Sequence, residues 1–386
     1  MKRRKQFSVY SLLLAAFLLI SASVYVFADA YVYIYAAENE ELTQQIKPPE
    51  EKVHGVWLSY GDYSKLGLSV LAGEGDYRDA AAMFLSDMVD YKINTVFLHM
   101  RAFDDAFWKS STFHASRYIG GDEALTAEEA YPFDPAGIFL EEAHKLGISV
   151  HAWLNPYRVS QAYYYDPAED ASIDRVLTAV TELMEFEYNG QTFDGIHLDD
   201  YFYHAASGYI SVADPSHAHS VTSSPEERRG NVNRMVRRIY EKVHAYGKKF
   251  GISPAGNYEN CMNAGADIDT WLYEEGYIDY LVPQIYWTDQ YGSDGGTEKF
   301  TETIELFLAK RWNRVRIYAG LALYRGGSSI GGDSGWQSSS TNIRDQVQAT
   351  DVNGCDGYVL YCASSFYEPV VAEELYNYLY RSGAVW

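Results

Sequence analysis

A chain of 386 residues that is 47% apolar and 22% charged carries enough hydrophobic side chain to bury a large core, which excludes a disordered, collagenous or coiled-coil protein. Its 53 Asp and Glu against 31 Lys and Arg give a formal charge of −22, and a surface of that sign repels phosphate backbones, so nucleic acid and polyanions are poor partners. The 35 Tyr and 8 Trp are flat amphipathic rings of the kind that stack on pyranose faces, a compositional hint toward neutral carbohydrate.

The chain opens with Lys2-Arg3-Arg4-Lys5, followed by an almost uncharged stretch from Phe7 to Ala28. The stretch approaches the ~20 residues that a membrane-spanning helix needs, and exceeds the roughly 7 to 15 of a cleavable signal core. Ala28-Asp29-Ala30 offers the small residues of an A-x-A-like cleavage site. Loss of residues 1–30, with four basic side chains and one acidic, takes the charge from −22 to −25. Residues 1–30 are therefore expected to be a signal peptide or a membrane anchor. In both cases the basic cluster stays on the cytoplasmic side, so the body is expected to be extracytoplasmic, secreted or anchored, and to touch the membrane only through this segment. Residues 31–52, with Glu38, Glu40, Glu41, Pro48 and Pro49, read as a linker. An odd set of cysteines, Cys261, Cys355 and Cys362, supplies no disulfide framework.

From Val53 onward short β-branched and aromatic runs alternate with longer amphipathic stretches, the pattern of repeated βα units around a parallel sheet. Strands are predicted at 53–59, 94–100, 148–153, 194–199, 249–253, 279–285, 315–320 and 357–361. Helices are predicted near 78–91, 135–146, 172–188, 225–246, 268–276, 297–310, 340–349 and 369–381. Asp134-Pro135 and Ser224-Pro225 open two of these helices, and Gly147 follows the end of the second. Eight units over 53–386 fit a TIM (β/α)8 barrel of ~250 residues with extended βα loops. A doubly wound open sheet is the competing fold, but no Gly-rich phosphate turn follows either early strand.

In such a barrel the chemistry collects where strands end. Strand 2 ends at Arg101 with Asp105 beyond it, strand 3 runs into Trp153-Leu154-Asn155-Pro156-Tyr157-Arg158, and strand 6 gives Gln284-Ile285-Tyr286-Trp287. The sharpest signal is Asp194-Gly195-Ile196-His197-Leu198-Asp199-Asp200-Tyr201, an apolar strand that delivers two adjacent carboxylates. Side by side at a buried strand end, each resists ionising next to the other, so one pKa tends to rise, as a general acid requires. Period-two alternation places His197, Asp199 and Tyr201 on one face, with Asp199 aimed at the barrel mouth and Asp200 on the rim. The plainer alternative is that these carboxylates cap the following loop or pair with Arg101 or Arg158. His197-x-Asp199 and His217-x-His219 have the spacing of metal pairs but lack a third ligand in step, so no metal and no cofactor is expected. His99 and His151 alternate with apolar neighbours and read as core histidines. A guanidinium at a strand end, as at Arg101 and Arg158, can orient a carboxylate or a sugar hydroxyl.

Taken together, Val53-His54-Gly55-Val56-Trp57-Leu58, Asn94-Thr95-Val96-Phe97 leading to Arg101 and Asp105-Ala106-Phe107-Trp108, His151-Ala152-Trp153-Leu154-Asn155-Pro156-Tyr157-Arg158, the strand-4 motif, Phe250-Gly251-Ile252-Ser253-Pro254 and Pro283-Gln284-Ile285-Tyr286-Trp287 resemble the bacterial glycosyl hydrolase-like family ten. The resemblance covers nearly all of 53–386. It implies a TIM-barrel glycoside hydrolase exported to the cell envelope, with members acting on peptidoglycan glycan strands stripped of stem peptides. Strand 4 is also similar to the chitinase-like D-G-x-D-x-D-x-E pattern, in which Asp199 matches the Asp that holds an acetamido group and Tyr286 the strand-6 tyrosine. The sequence departs from that pattern at His197, which replaces an Asp, and at Tyr201, which replaces the acid Glu. The acid then falls to Asp199, Asp200 or a loop carboxylate such as Asp105 or Glu259. The expectation is a polysaccharide-cleaving enzyme with Asp199 as general acid/base, Asp200 tuning it, and Arg101, Asp105, Trp153, Asn155, Arg158, His197, Tyr201, Gln284, Tyr286 and Trp287 holding substrate. The competing expectation is a wall-binding barrel that has lost its acid.

Overall fold

A computed structural model describes residues 51–203, 208–292, 295–328 and 332–378. The leader expected at 1–30 and all but the last two residues of the linker at 31–52 lie outside the described residues. Among the described residues no helix is long and apolar enough to cross a membrane.

Eight parallel strands close into a barrel: β1 Val53–Leu58, β2 Thr95–Arg101, β3 Ser149–Leu154, β4 Gly195–Asp199, β5 Lys249–Ser253, β6 Tyr280–Leu281, β7 Arg316–Leu321 and β8 Gly357–Tyr361. Each pairs with its sequence neighbours, and β1 closes the ring on β8 through Val53↔Gly357 to Trp57↔Tyr361. Helices follow the strands in turn: α1 Glu74–Asp90, α2 Pro135–Lys145, α3 Asp170–Glu185, α4 Pro225–Ala245, α5 Ile268–Tyr273, α6 Lys299–Ala309, α7 Asn342–Val352 and α8 Pro369–Tyr376. The chain is thus a TIM barrel, and its strand limits lie within a residue or two of the predicted ones except at β6. There the ladder stops at Leu281 because Pro283 has no N–H to give, and pairing resumes as single bridges from Gln284 to Ala255 and Gly320. The helix starts follow from caps: the Asp134 carboxylate accepts from Gly137 N–H at 3.0 Å, and Ser224 forms a capping box with Glu227.

Alternation along the strands separates two cores. Outward side chains such as Val56, Leu98, Ile196 and Leu281 pack under the helices, whereas Trp57, Phe97, Trp153, Tyr280, Val282, Tyr318 and Val359 fill the barrel interior. Such large rings fit because glycines face them. A Cβ on Gly251 would stand 2.2 Å from Tyr280 Cε2, and one on Gly195 would stand 2.6 Å from His151 Nδ1. A polar thread crosses this interior. The Trp57 indole donates to His197 Nε2 at 3.0 Å, His197 Nδ1 lies 3.3 Å from the Tyr280 hydroxyl, and that hydroxyl lies 2.8 Å from His151 Nδ1. Burial pushes His151 down to about 4 and His197 well below the ordinary imidazole range, so both rings are neutral at physiological pH.

Candidate active site at the barrel mouth

At the end of β4 the backbone carries Asp199 to the top of the interior, 7% exposed, while Asp200 sits half-buried beside it. Asp199 Oδ1 accepts from Gln284 Nε2 at 2.9 Å and from the backbone N–H of Asp200 at 2.9 Å. Gln284 Nε2 also donates to the Ser253 carbonyl at 3.0 Å, so one amide group ties the strand-6 segment to the ends of β4 and β5. Burial raises the pKa of Asp199 although Asp200, Gln284 and Arg158 all favour its charged form. Asp200 stands well above the carboxylate range, first through burial and then through the charge of Asp199. The two carboxyls therefore behave as a pair that keeps a proton beyond the pH at which an isolated carboxyl loses it.

One wall of the mouth is aromatic. The Arg158 guanidinium lies between the rings of Phe103 and Tyr201, 4.5 Å from each centroid, with Tyr60 at 5.9 Å. Tyr60 in turn meets Phe103 and Tyr118 edge-on, and Tyr164 stacks on Tyr201. Two short strand segments, Tyr163–Tyr165 and Gly208–Ile210, pair in parallel and join the loops after β3 and β4, which fixes this wall. The opposite wall holds Tyr286 stacked on Tyr361 at 6.0 Å, with Tyr324 edge-on to both. Trp287 is half-buried there, with Lys299 Nζ 5.6 Å from its ring.

The structure brings Asp199, Asp200, Arg158, Tyr201, Gln284, Tyr286 and Trp287 to the mouth and assigns the other predicted positions to the scaffold. Arg101 is 0% exposed: its guanidinium donates to the carbonyls of Asn155 and Pro156 and to Asp104, so it braces the loops after β2 and β3 and presents no atom to a ligand. Asp105 accepts from the backbone N–H groups of Ala102 and Phe103 and shapes that loop. Asn155 is fully buried and donates to the Ala102 carbonyl at 2.9 Å. Trp153 stacks on His99 at 3.8 Å inside the barrel and is no platform for a sugar. His197 belongs to the interior thread beneath the carboxylates. Trp153 and His197 point inward a layer below the mouth, where the ring of strands leaves no room for ligand, whereas Arg101, Asp105 and Asn155 are taken up by the backbone of the loops after β2 and β3. Among the described residues no three His, Cys, Asp or Glu side chains gather as metal ligands do.

Sequence reasoning does not single out Phe103, Tyr118 or Tyr164. The run Tyr163-Tyr164-Tyr165 was a usable signal, because three consecutive rings in a loop cannot all be buried in one core. Phe103 left none: its place over Arg158 depends on the Asp104 turn, where φ is 37°.

Comparison with known proteins places this geometry. Residues 157–338 match the family described as Glycosyl hydrolase-like 10. The chain is 28% identical over 292 residues to the glycosyl hydrolase YngK of Bacillus subtilis, covering 62% of this chain and 55% of that protein, so it spans little more than half of YngK. It is 26% identical over 350 residues to the glycosyl hydrolase DigH of Escherichia coli K12, covering 74% of this chain and 75% of DigH. The glycoside hydrolase domain of PgaB (BpsB) from Bordetella bronchiseptica superposes with a TM-score of 0.53 at 12% identity, over 86% of this chain and 99% of that domain, a likeness of fold. Barrel, strand-end carboxylates and relatives thus agree: residues 157–338 carry the match to the glycosyl hydrolase-like 10 family, and the chain is similar to the glycosyl hydrolases YngK and DigH.

Proposed function

We propose that the chain is an exported glycoside hydrolase that cleaves O-glycosyl bonds in bacterial envelope polysaccharide containing N-acetylhexosamine, peptidoglycan glycan strands above all. The observation that carries this reading is the Asp199–Asp200 pair at the end of β4, with Asp199 buried and held by Gln284, Asp200 half-buried beside it, and the pKa of both raised. A carboxyl whose pKa is raised holds its proton longer and can give it to a leaving glycosidic oxygen, and the deprotonated pair can then activate water or stabilise the cationic sugar. Asp199 faces the mouth and is the acid/base, with Asp200 sharing the proton of the pair. Both hydrogens of the Gln284 amide are committed, so Gln284 acts by positioning Asp199. Tyr286 and Trp287 are ring surfaces for the sugar. The leader expected at residues 1–30 supports an envelope location, secreted or anchored, and similarity to the glycosyl hydrolases YngK and DigH supports the reaction class.

Release of new reducing ends from peptide-free glycan strands tests the proposal. Wild type should cleave, and Asp199→Asn with Asp200→Asn should lower cleavage at least a hundredfold. Uncut strands with wild type, or undiminished cleavage by the double variant, would end it. One observation favours a second reading, a glycan-binding barrel without catalysis. Tyr201 stands where chitinase-like barrels carry the acid, and its ring is occupied by Arg158. That reading predicts that wild type binds the strands and leaves them intact.

A further inference from the structure

The end of the barrel opposite the mouth carries apolar side chains where helices finish. In this topology the helix C-termini and the strand N-termini share one face. Leu146 and Tyr246 are the C-cap residues of α2 and α4, Tyr273 and Val352 are the last residues of α5 and α7, and Trp312 follows α6 by three residues. All five are exposed, Trp312 at 77%, Tyr273 at 68% and Val352 at 86%. Surface apolar residues scattered singly are ordinary, whereas five on one face mark an interaction surface. Trp312 and Tyr273 are also held rigidly. The N–H groups of Trp312 and Asn313 both donate to the Leu272 carbonyl, at 2.9 and 3.2 Å, and Asn313 Nδ2 donates to the carbonyls of Trp271 and Glu274. The two loops are thus tied into one piece, so ordering their rings on contact costs little entropy. The surrounding run Lys310-Arg311-Trp312-Asn313-Arg314 carries three cations in a chain of formal charge −22. Lys310 and Arg311 are paired with Asp269 and Asp356, whereas Arg314 is exposed and has no hydrogen bond or ion pair among the described residues.

We infer that this face seats on a phospholipid bilayer, with Trp312 and Tyr273 at headgroup depth and Arg314 toward the phosphates, so that the mouth opens away from the membrane. This rests on the envelope location proposed above, in its anchored form. Two observations choose lipid over another occupant. First, the linker expected at 31–52 joins the barrel at Val53, the first residue of β1 and hence on this same face, and the apolar stretch Phe7 to Ala28 precedes that linker. Tethering of this kind raises the local concentration of a weak contact to the millimolar range. Second, the apolar side chains are interleaved with exposed charged ones, Lys145, Glu274 and Arg314, and are not gathered into the charge-depleted centre that a protein interface needs. Aromatic rings set among Lys and Arg are the composition of a membrane–water interface. The N-terminal segment would supply attachment, and the face supplies orientation.

Full-length protein in nanodiscs of phosphatidylcholine and phosphatidylglycerol tests this, with lipids brominated near the headgroup as contact quenchers of Trp emission. Bromine-dependent quenching should be present in wild type, fall at least about twofold in Trp312→Phe and stay unchanged in Trp287→Phe, whose ring is at the mouth. Leu146→Ser, Tyr273→Ser and Val352→Ser combined leave Trp312 in place and should also lower quenching at least about twofold, because the face no longer seats. Equal quenching in wild type and Trp312→Phe overturns the inference, as does quenching that the triple substitution leaves unchanged. A dimer in sedimentation that Trp312→Phe abolishes, with no effect of bromine, would make the face a contact between copies and overturn it too. Should the full-length protein fail to stay with the discs, the anchored form and this inference fall together. Release of reducing ends reports the hydrolase proposal separately. Trp312→Phe should cleave glycan at the wild-type rate, since the mouth is untouched, and uncut strands alongside Trp312-dependent quenching would leave the membrane face standing and end the hydrolase reading.

Discussion

The Trp57 indole N–H points at His197 Nε2 across the barrel interior, 3.0 Å away, and this contact sets the tautomer of the ring beneath the carboxylate pair. Indole nitrogen only donates, so Nε2 accepts and Nδ1 carries the hydrogen toward Tyr280. Trp57→Phe keeps most of the ring volume and withdraws the donor. It should lower unfolding free energy by about 1–3 kcal/mol, read from guanidinium titrations, because a buried acceptor loses a partner. A loss below about 0.5 kcal/mol would mean that Ser253 Oγ, 3.1 Å from the same nitrogen, already satisfies it.

Gly251 is a sterner test of the interior. Its hydrogen faces the Tyr280 ring, and the ring is held from its far side by Tyr318, stacked at 5.2 Å. Gly251→Ala therefore cannot be relieved by a side-chain rotation alone. Overpacking of this kind is expected to destabilise by about 1–3 kcal/mol or more, seen as a lower melting temperature or insoluble protein. Wild-type stability in the variant would show that β5 and β6 can separate at that point.

Much of this barrel was legible in the sequence because burial on both faces writes strands as continuous apolar runs, and the punctuating Asp134-Pro135, Ser224-Pro225 and Gly147 mark helix ends locally. The β4 motif was legible for the same reason: its apolar run ends abruptly in two acids. What could not be read is depth. Arg101 and Arg158 both follow strands and both carry a guanidinium, yet one is sealed by the loops after β2 and β3 and the other opens on the mouth. That difference is set by Asp104, whose turn delivers a carboxylate to Arg101 and Arg175 and none to Arg158. Likewise Trp153 and Trp287 are alike as residues in strand-end motifs, and only the curvature of the closed ring buries the first against His99.

Away from the mouth, Glu374 on α8 accepts from the backbone N–H groups of Ile343 and Arg344 and so caps the start of α7. Burial raises it to about 7 in spite of those two donors. Its folded-state pKa thus lies above the unfolded value, so the folded chain holds this proton more tightly. The stability it contributes is fully present below about pH 4.5 and is lost as pH rises through about 7. Glu374→Gln retains an acceptor for the cap and cannot ionise. Between pH 5 and pH 8 wild type should lose about 2–3 kcal/mol relative to the variant, measured by denaturant titration at several pH values. Parallel pH profiles for the two proteins would show that the carboxyl is solvated and titrates normally.

Gln284 offers the sharpest reading of the carboxylate pair. Its Nε2 donates to Asp199 Oδ1 and favours the charged form, which opposes the rise that burial imposes. Gln284→Leu fills the same space without the donor. The Asp199 pKa should then climb further, moving the basic limb of the kcat/KM profile on peptide-free strands upward by about one pH unit. Because the amide also fixes where the carboxyl points, kcat should fall about tenfold or more at every pH. The two effects are separable: a shift of the limb reports the lost hydrogen bond to the ionised carboxyl, and a uniform fall reports misplacement. A variant with reduced kcat and an unmoved basic limb would show that Asp199 is not the group whose ionisation governs turnover, and the acid would then have to be sought at Asp200 alone.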